Sequence, residues 1–185
     1  EQARWQLREA HRLGVRLVGW HTAAYPELLR HGPDPPALLY VQGRWEPDRP
    51  AIAVVGTRRP SPVGRELARR LAAELAGYGV VVVSGLARGI DREAHLGALE
   101  AGGRTVAVLG SGLDRIYPAE NAALARRITR SGALVSEFPL GAEAHPGHFP
   151  RRNRILAGLS WGVVVVEAGE GSGTLVTVDQ AAGCG

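Results

Sequence analysis

The side chains best placed to do chemistry in this 185-residue chain are arginines set in glycine-rich turns directly after apolar runs. Ala51–Val55 is apolar and rich in β-branched residues; Gly56-Thr57-Arg58-Arg59 follows it, and Ser61-Pro62 opens a helical pattern. Serine and proline there are an N-cap and first-turn pair, so the stretch reads as strand, turn, helix. In such a turn the backbone N–H groups and the positive end of the helix point at one spot above the strand. They favour an anion, and Arg58 adds a planar two-pronged phosphate donor. A plain turn in which Gly56 only eases the backbone is the blander alternative.

Similar loops follow the later apolar runs: Ser84-Gly85-Leu86-Ala87-Arg88-Gly89, Gly110-Ser111-Gly112, Ser136-Glu137-Phe138-Pro139, and Gly169-Glu170-Gly171-Ser172-Gly173 with Thr174 beyond. A second arginine cluster, Pro150-Arg151-Arg152-Asn153-Arg154, precedes the apolar run 155–159. Three arginines at the positive end of a helix are unfavourable unless an anion is shared, and phosphate is the favourable explanation. Tyr117, Phe149 and Trp161 lie near these loops in sequence and offer faces on which bases stack, a core role being equally open for Trp161.

Composition closes off other chemistries. All 22 basic residues are arginine, against 18 acidic ones, for a formal charge of +4. Without lysine there is no Walker-type phosphate loop and no Schiff base. The absence of lysine, with 25 glycines and 12 prolines, is itself read mainly as a bias towards GC-rich codons, so arginine positions inform more than arginine number. Gly110-Ser111-Gly112-Leu113-Asp114-Arg115 lacks the third glycine of a dinucleotide fingerprint, and Ser84 stands where an acidic ribose ligand belongs. Ser111 is flanked directly by glycines and so does not form a nucleophile elbow. His145 and His148, with Glu143, have no third strong ligand nearby, so no metal and no cofactor is expected. Cys184 is the single cysteine, which rules out an intrachain disulfide and suits a reducing cytoplasm. No apolar run approaches membrane-spanning length, and the first residues do not read as a signal peptide. A cytoplasmic protein with no membrane contact is expected.

These loops need a scaffold that brings them to one edge. Apolar runs at 51–55, 80–83, 105–109, 133–135 and 162–166 alternate with helical patterns at 63–76, 91–100, 120–130, 152–159 and 174–182. That alternation predicts an α/β fold, a doubly wound and mostly parallel Rossmann-like sheet, with the loops at the strand ends where such folds bind ligands. Arg58 then lies near the topological switch point, with the Arg152–Arg154 cluster arriving beside it. Ahead of this unit, residues 2–13 are amphipathic with Gly14 as a helix stop. Short strands are expected at 15–18 and 37–41, with a short helix near Pro26 and a proline-rich connector at 32–36. Two parts are therefore expected: a small N-terminal lobe over 1–46, and a Rossmann-like unit over 47–185 that wants a further strand after its last helix.

The blocks Tyr25-Pro26-x-x-Leu29, Asp34-Pro35-Pro36-x-x-Leu39-Tyr40-x-x-Gly43, Val55-Gly56-Thr57-Arg58-x-x-Ser61-x-x-Gly64, Ser84-Gly85-x-Ala87-x-Gly89-Ile90-Asp91-x-x-Ala94-His95, Leu109-Gly110-x-Gly112-Leu113-Asp114-x-x-Tyr117-Pro118-x-x-Asn121 and Arg152-Asn153-Arg154-Ile155-x-Ala157-Gly158-Leu159-Ser160 come in that order. Together they resemble the DNA-processing protein A (DprA/Smf) family from about Val15 to the last residue. The resemblance implies an extended Rossmann domain that binds single-stranded DNA, forms a homodimer and helps load the RecA recombinase during natural transformation, with no catalytic activity. It also implies that Gly56, Thr57, Arg58 and Ser61 hold a phosphate, while Gly85, Gly89, Tyr117, Asn121 and Arg154 shape the pocket. Thr57 stands where the family usually has serine, and Val178 where the last block usually has alanine. On this resemblance, only part of the family's N-terminal helical domain is expected within these residues, and the winged-helix domain of many members is expected to lie outside them.

The competing class is an enzyme. LOG-type nucleoside-monophosphate phosphoribohydrolases share the fold and a similar Gly-Thr loop, but aligned on Gly173-Thr174 their catalytic glutamate falls at Thr177. A hydroxyl cannot replace a carboxylate that stabilises an oxocarbenium charge. Glu137, Glu167 and Glu170 remain nearby as other carboxylates.

Overall fold

The structure is a computed structural model, described here for residues 1–169; the helix expected at 174–182 and the residues Ser172, Gly173 and Thr174 lie outside that range. In chain order the elements are α1 (Gln2–Leu13), β1 (Val15–Gly19), α2 (Glu27–Arg30), β2 (Leu38–Gly43), β3 (Ala51–Val55), α3 (Pro62–Gly77), β4 (Val81–Ser84), α4 (Ile90–Glu100), β5 (Thr105–Val108), a 3-10 turn (Ala119–Asn121), α5 (Ala122–Ser131), β6 (Ala133–Ser136), α6 (His148–Gly158) and β7 (Gly162–Val165). The seven strands form one sheet in the order β1-β2-β6-β5-β4-β3-β7. From β6 to β7 every pairing is parallel. Chain direction across the sheet reverses between β3 and β7, which makes the crevice above those two strand ends the topological switch point.

Helices cover both faces because β3, β4 and β5 point alternate residues in opposite directions. Ala53, Val55, Val83 and Val108 pack with Leu29 of α2 and Ile155 and Leu156 of α6. Val54 and Val82 face the other way, against Ala68, Ala72 and Ala76 of α3 and Ala94 and Ala98 of α4. Farther along that face α1 and α5 add Ala10, Leu124 and Ile128. The α3 and α4 helices meet backbone to backbone: a methyl group on Gly97 would lie 2.0 Å from the Arg69 carbonyl oxygen.

The N-terminal segment, expected as a small lobe on the core, joins the sheet. Hairpin strands β1 and β2 pair antiparallel, and β2 pairs antiparallel with β6, Tyr40 opposite Ser136. Leu39 and Val41 are fully buried against the α2 and α6 side of the core. A second difference concerns α6, which starts at His148 rather than near Arg152. Pro150 does not prevent this, since in a first turn the proline's missing N–H would have had no helical partner. Among the described residues no helix is long and apolar enough to cross a membrane.

Candidate nucleic-acid interface

The loops that leave β3, β4, β5, β6 and β7 share the carboxyl edge of the parallel sheet. Gly89, at φ 74°, lies so close to the first of them that a methyl group there would sit 2.4 Å from the Thr57 carbonyl oxygen. Side chains other than glycine are strained at that φ and blocked by that contact. Ile90 N donates to the same Thr57 oxygen (3.2 Å), fixing the first loop on the start of α4. Thr57 Oγ1 accepts from Arg59 N within the same loop (3.2 Å). Gly56 is equally enclosed, its missing methyl facing the Ile90 side chain at 2.6 Å and the Glu167 carbonyl at 2.8 Å.

The start of α3, where a bound phosphate was expected, already holds an anion. Ser61 Oγ accepts from Gly64 N (3.0 Å) as an N-cap and donates to Glu167 Oε2 (2.9 Å), while Ser61 N donates to both Glu167 carboxylate oxygens (3.1 Å each). Thr57 N donates to the Glu167 carbonyl (2.7 Å), so the end of β7 is tied to the loop after β3. Ser61 and the helix dipole therefore serve an internal carboxylate.

The arginine cluster of α6 is satisfied in the same way. Arg152 is buried, 5 % exposed. Its Nη1 donates to the carbonyls of Gly85 (2.7 Å) and Val108, and its Nε donates to Asn153 Oδ1 (3.1 Å). Asp91 lies against it and accepts from Gly85 N (3.2 Å) and Ala87 N (3.3 Å). Burial pulls the Arg152 guanidinium down to about 10, still charged at neutral pH, although Asp91 pulls the other way. Burial pushes the Asp91 carboxyl up, opposed by Arg152 and the two N–H donors. Arg154 donates to Asp34 Oδ2 (2.6 Å) and, through both Nη atoms, to Glu137 (3.1 and 2.8 Å). The bond from Arg154 holds Asp34 below the ordinary aspartate range. Arg151 also pairs with Glu137, at 3.1 Å. With α6 beginning at His148, these arginines stand beyond its first three residues, and their shared anions are Asp91, Glu137 and Asp34 rather than phosphate.

Three further sequence candidates hold loops in place. Asn121 is buried and donates to the carbonyls of Leu86 (2.9 Å) and Ala87 (3.4 Å), pinning a turn in which Leu86 adopts φ 56°. Gly112 N donates to Ala142 O (2.8 Å), in a gap where a methyl would meet the Pro139 carbonyl at 2.5 Å. Gly110 lets the Phe149 ring come down on the loop after β5, 3.1 Å from where its methyl would be. His148 Nδ1 lies 3.1 Å from Gly110 O, which fixes the first residue of α6 over the same loop.

Beyond these clamped groups the edge opens into a shallow pocket lined by Arg58, Gly85, Ala87, Arg88, Tyr117, Pro118 and Phe149. The exposed Arg58 guanidinium sits 5.1 Å from the Phe149 ring centroid. Tyr117, 47 % exposed, has its ring 5.8 Å from that of Phe149 and tilted by 43°. Arg88 borders the pocket and is paired with Glu120 at 3.0 Å. The pocket thus offers a guanidinium and two aromatic faces side by side, a pairing suited to a phosphate and its neighbouring bases. Sequence reasoning names Tyr117 both as a stacking face and, through the family resemblance, as a pocket residue; it names Phe149 only as a stacking face and does not single out Arg88. It also misses Asp34 and Asp91 as ion partners, because nothing local marks a carboxylate whose partner is far along the chain.

Residues 16–185 match the family described as DNA recombination-mediator protein A. The chain belongs to that family. Protein Smf of Synechocystis is 45 % identical over 162 residues, which cover 85 % of this chain and 41 % of that protein. Among solved structures, DNA processing protein A (DprA) of Streptococcus pneumoniae superposes with a TM-score of 0.89 at 37 % identity, over 96 % of this chain and 63 % of that one. DNA processing protein A of Helicobacter pylori, whose structure concerns its single-stranded DNA binding mode, gives a TM-score of 0.82 at 32 % identity, over 90 % of this chain and 75 % of that one. The chain therefore spans less than half the length of the Synechocystis relative. The relatives it matches are described as DNA processing proteins. Glu137 and Glu167, the described carboxylates weighed for the enzyme reading, are both engaged, one by arginines and the other by the N-terminus of α3.

Proposed function

We propose that this chain binds single-stranded DNA across the carboxyl edge of its sheet, with Arg58 on a backbone phosphate and Phe149 and Tyr117 against bases. The observation that carries the reading is the exposed Arg58 guanidinium over Phe149, beside which no carboxylate is paired among the described residues. Gly56, Thr57, Gly85 and Gly89 shape the turn beneath it. Gly110, Gly112, Asn121, Arg152, Asn153 and Arg154 act one step back by holding the loops, and Ser61 orders the start of α3. Ser172, Gly173 and Thr174, outside the described residues, are assigned to DNA binding from the family likeness alone. Stacking and phosphate contacts accept any base, so little sequence preference is expected.

The wider roles are proposed from the family likeness. They are a homodimer, delivery of incoming single strands to the RecA recombinase in natural transformation and recombination, and action in the cytoplasm. Residues 47–185 form the DNA-binding unit, and 1–46 extend its sheet.

Arg58→Ala is expected to weaken single-stranded oligonucleotide binding by about 1–3 kcal/mol and to lower the slope of log K against log salt by about 0.7, the value for one lost phosphate contact. Arg58→Lys should restore only part of this, because a point charge lacks the planar fork and stacks poorly on Phe149. Arg59→Ala, on the next exposed residue, serves as the comparison. Fluorescence anisotropy over a salt series decides the matter, and identical curves for wild type and Arg58→Ala would remove this site.

A further inference from the structure

The crevice between the ends of β3 and β7 is where an open α/β sheet ordinarily receives its ligand, and in this chain a protein side chain fills it. The Glu167 carboxylate takes the N–H and Oγ–H of Ser61 at 2.9–3.1 Å. Its own main-chain carbonyl takes the N–H of Thr57 at 2.7 Å. Gly64 makes the seat: a methyl group on it would lie 2.0 Å from Glu167 Oε2, so the first turn of α3 is hollowed to fit that oxygen. The seat combines a helix N-terminus, a capping hydroxyl and a missing side chain, which suits an anion. Two exposed arginines, Arg58 and Arg59, precede it in the loop after β3.

We propose that Glu167 is a built-in anion that closes the α3 N-terminus to DNA and sets the path of the strand, directing the nearest phosphate to Arg58 beside Phe149. The proposal rests on the single-stranded DNA reading above. A phosphate that approached the first turn of α3 would find its donors occupied and a like charge in their place. Glu167 is on this view a positioning residue, acting through the charge it contributes and the donors it withholds.

The test uses Glu167→Gln and Glu167→Ala in the full chain, with folding checked by circular dichroism. Glu167→Gln keeps an acceptor of the same size for Ser61 N and removes the charge. Single-stranded oligonucleotide binding should tighten about three- to five-fold at low salt, as expected for removing one like charge near a phosphate. Glu167→Ala empties the seat, so the salt slope should rise by about 0.7 as one more phosphate is held. A merely structural glutamate would leave that slope unchanged or weaken binding in both variants, and either result overturns the proposal. Inorganic phosphate supplies an arm independent of DNA: it should raise the melting temperature of Glu167→Ala more than that of wild type. Equal shifts would overturn the assignment even if DNA binding were normal. Failure of wild type to bind oligonucleotides would overturn the DNA reading instead, and the phosphate arm would then decide on Glu167 alone.

Discussion

Arg152→Met should destabilise the fold by about 3–5 kcal/mol, the range for removing one partner from a buried charge pair. The arginine side chain is enclosed, and its Nη1 is shared by the carbonyls of Gly85 and Val108, so one guanidinium ties α6 to the loop after β4 and the last residue of β5. Methionine fills a similar volume but leaves both carbonyls without this donor and Asp91 without its neighbouring positive charge. Gly85 has no room to adapt, since the missing methyl would lie 2.5 Å from Nη1 and 2.6 Å from Asp91 Oδ2. Urea denaturation at pH 7 gives the number. Arg127→Met on the exposed side of α5 is the comparison, expected within about 0.5 kcal/mol of wild type. A loss below about 1 kcal/mol at Arg152 would mean that the loops are held by other contacts. Because the pocket beside Arg58 is lined by Gly85 and Ala87, the same substitution should weaken DNA binding even under conditions where the chain remains folded.

A second large effect should appear in acid, at His95. This residue is fully buried, and its Nδ1 lies 2.6 Å from Thr105 Oγ1. The single hydroxyl proton of Thr105 goes to the Val82 carbonyl at 2.7 Å, so Nδ1 carries the ring hydrogen. Nε2 then faces surroundings with no hydrogen-bond partner among the described residues. Protonating it would bury an unpaired N–H and a charge, and burial, with the nearby Arg152 charge, lowers the pKa from 6.5 to about 3. The unfolded chain accepts this proton below about pH 6.5 and the folded chain only near pH 3, so the stability His95 contributes is complete above pH 6.5 and is lost on acidification. The slope should approach about 1.4 kcal/mol per pH unit, which amounts to about 2 kcal/mol between pH 6.5 and 4.5. Asp91 runs in the opposite sense, because a raised carboxyl pKa favours the folded state as protons bind. For that reason the measurement is the difference between wild type and His95→Gln in urea at several pH values. Parallel stability curves for the two proteins would exclude the histidine as the source.

The apolar runs identified β3 to β7 from sequence, and in β3 to β6 nearly every residue is buried because both faces of these strands are covered. Ser61-Pro62 marked the start of α3 for an equally local reason. Contacts between distant positions were not readable in this way. The pairing of β2 with β6, the Arg154–Asp34 bond and the Ser61–Glu167 bond each join residues with no shared local pattern. Charge drew attention to these loops without showing which arginines the chain itself engages: of Arg58, Arg152 and Arg154, two are matched by its own carboxylates. Phe149 was placed near the edge by its position after the loop following β6, but its seat under Arg58 depended on Gly110 and on a helix that begins earlier than the apolar pattern indicates.

The antiparallel docking of the N-terminal hairpin has a consequence for the order of events during synthesis. Strands β1 and β2 are made before the other five strands, yet beyond its hairpin partner β1, β2 finds a sheet neighbour only in β6, after β3, β4 and β5 have been made. Until then Val18, Leu39 and Val41, all buried in the finished protein, have neither sheet nor α6 to cover them. Closing so long a loop is entropically slow compared with local contacts. Docking of the hairpin therefore has to wait for β6, and it completes the sheet from the far edge.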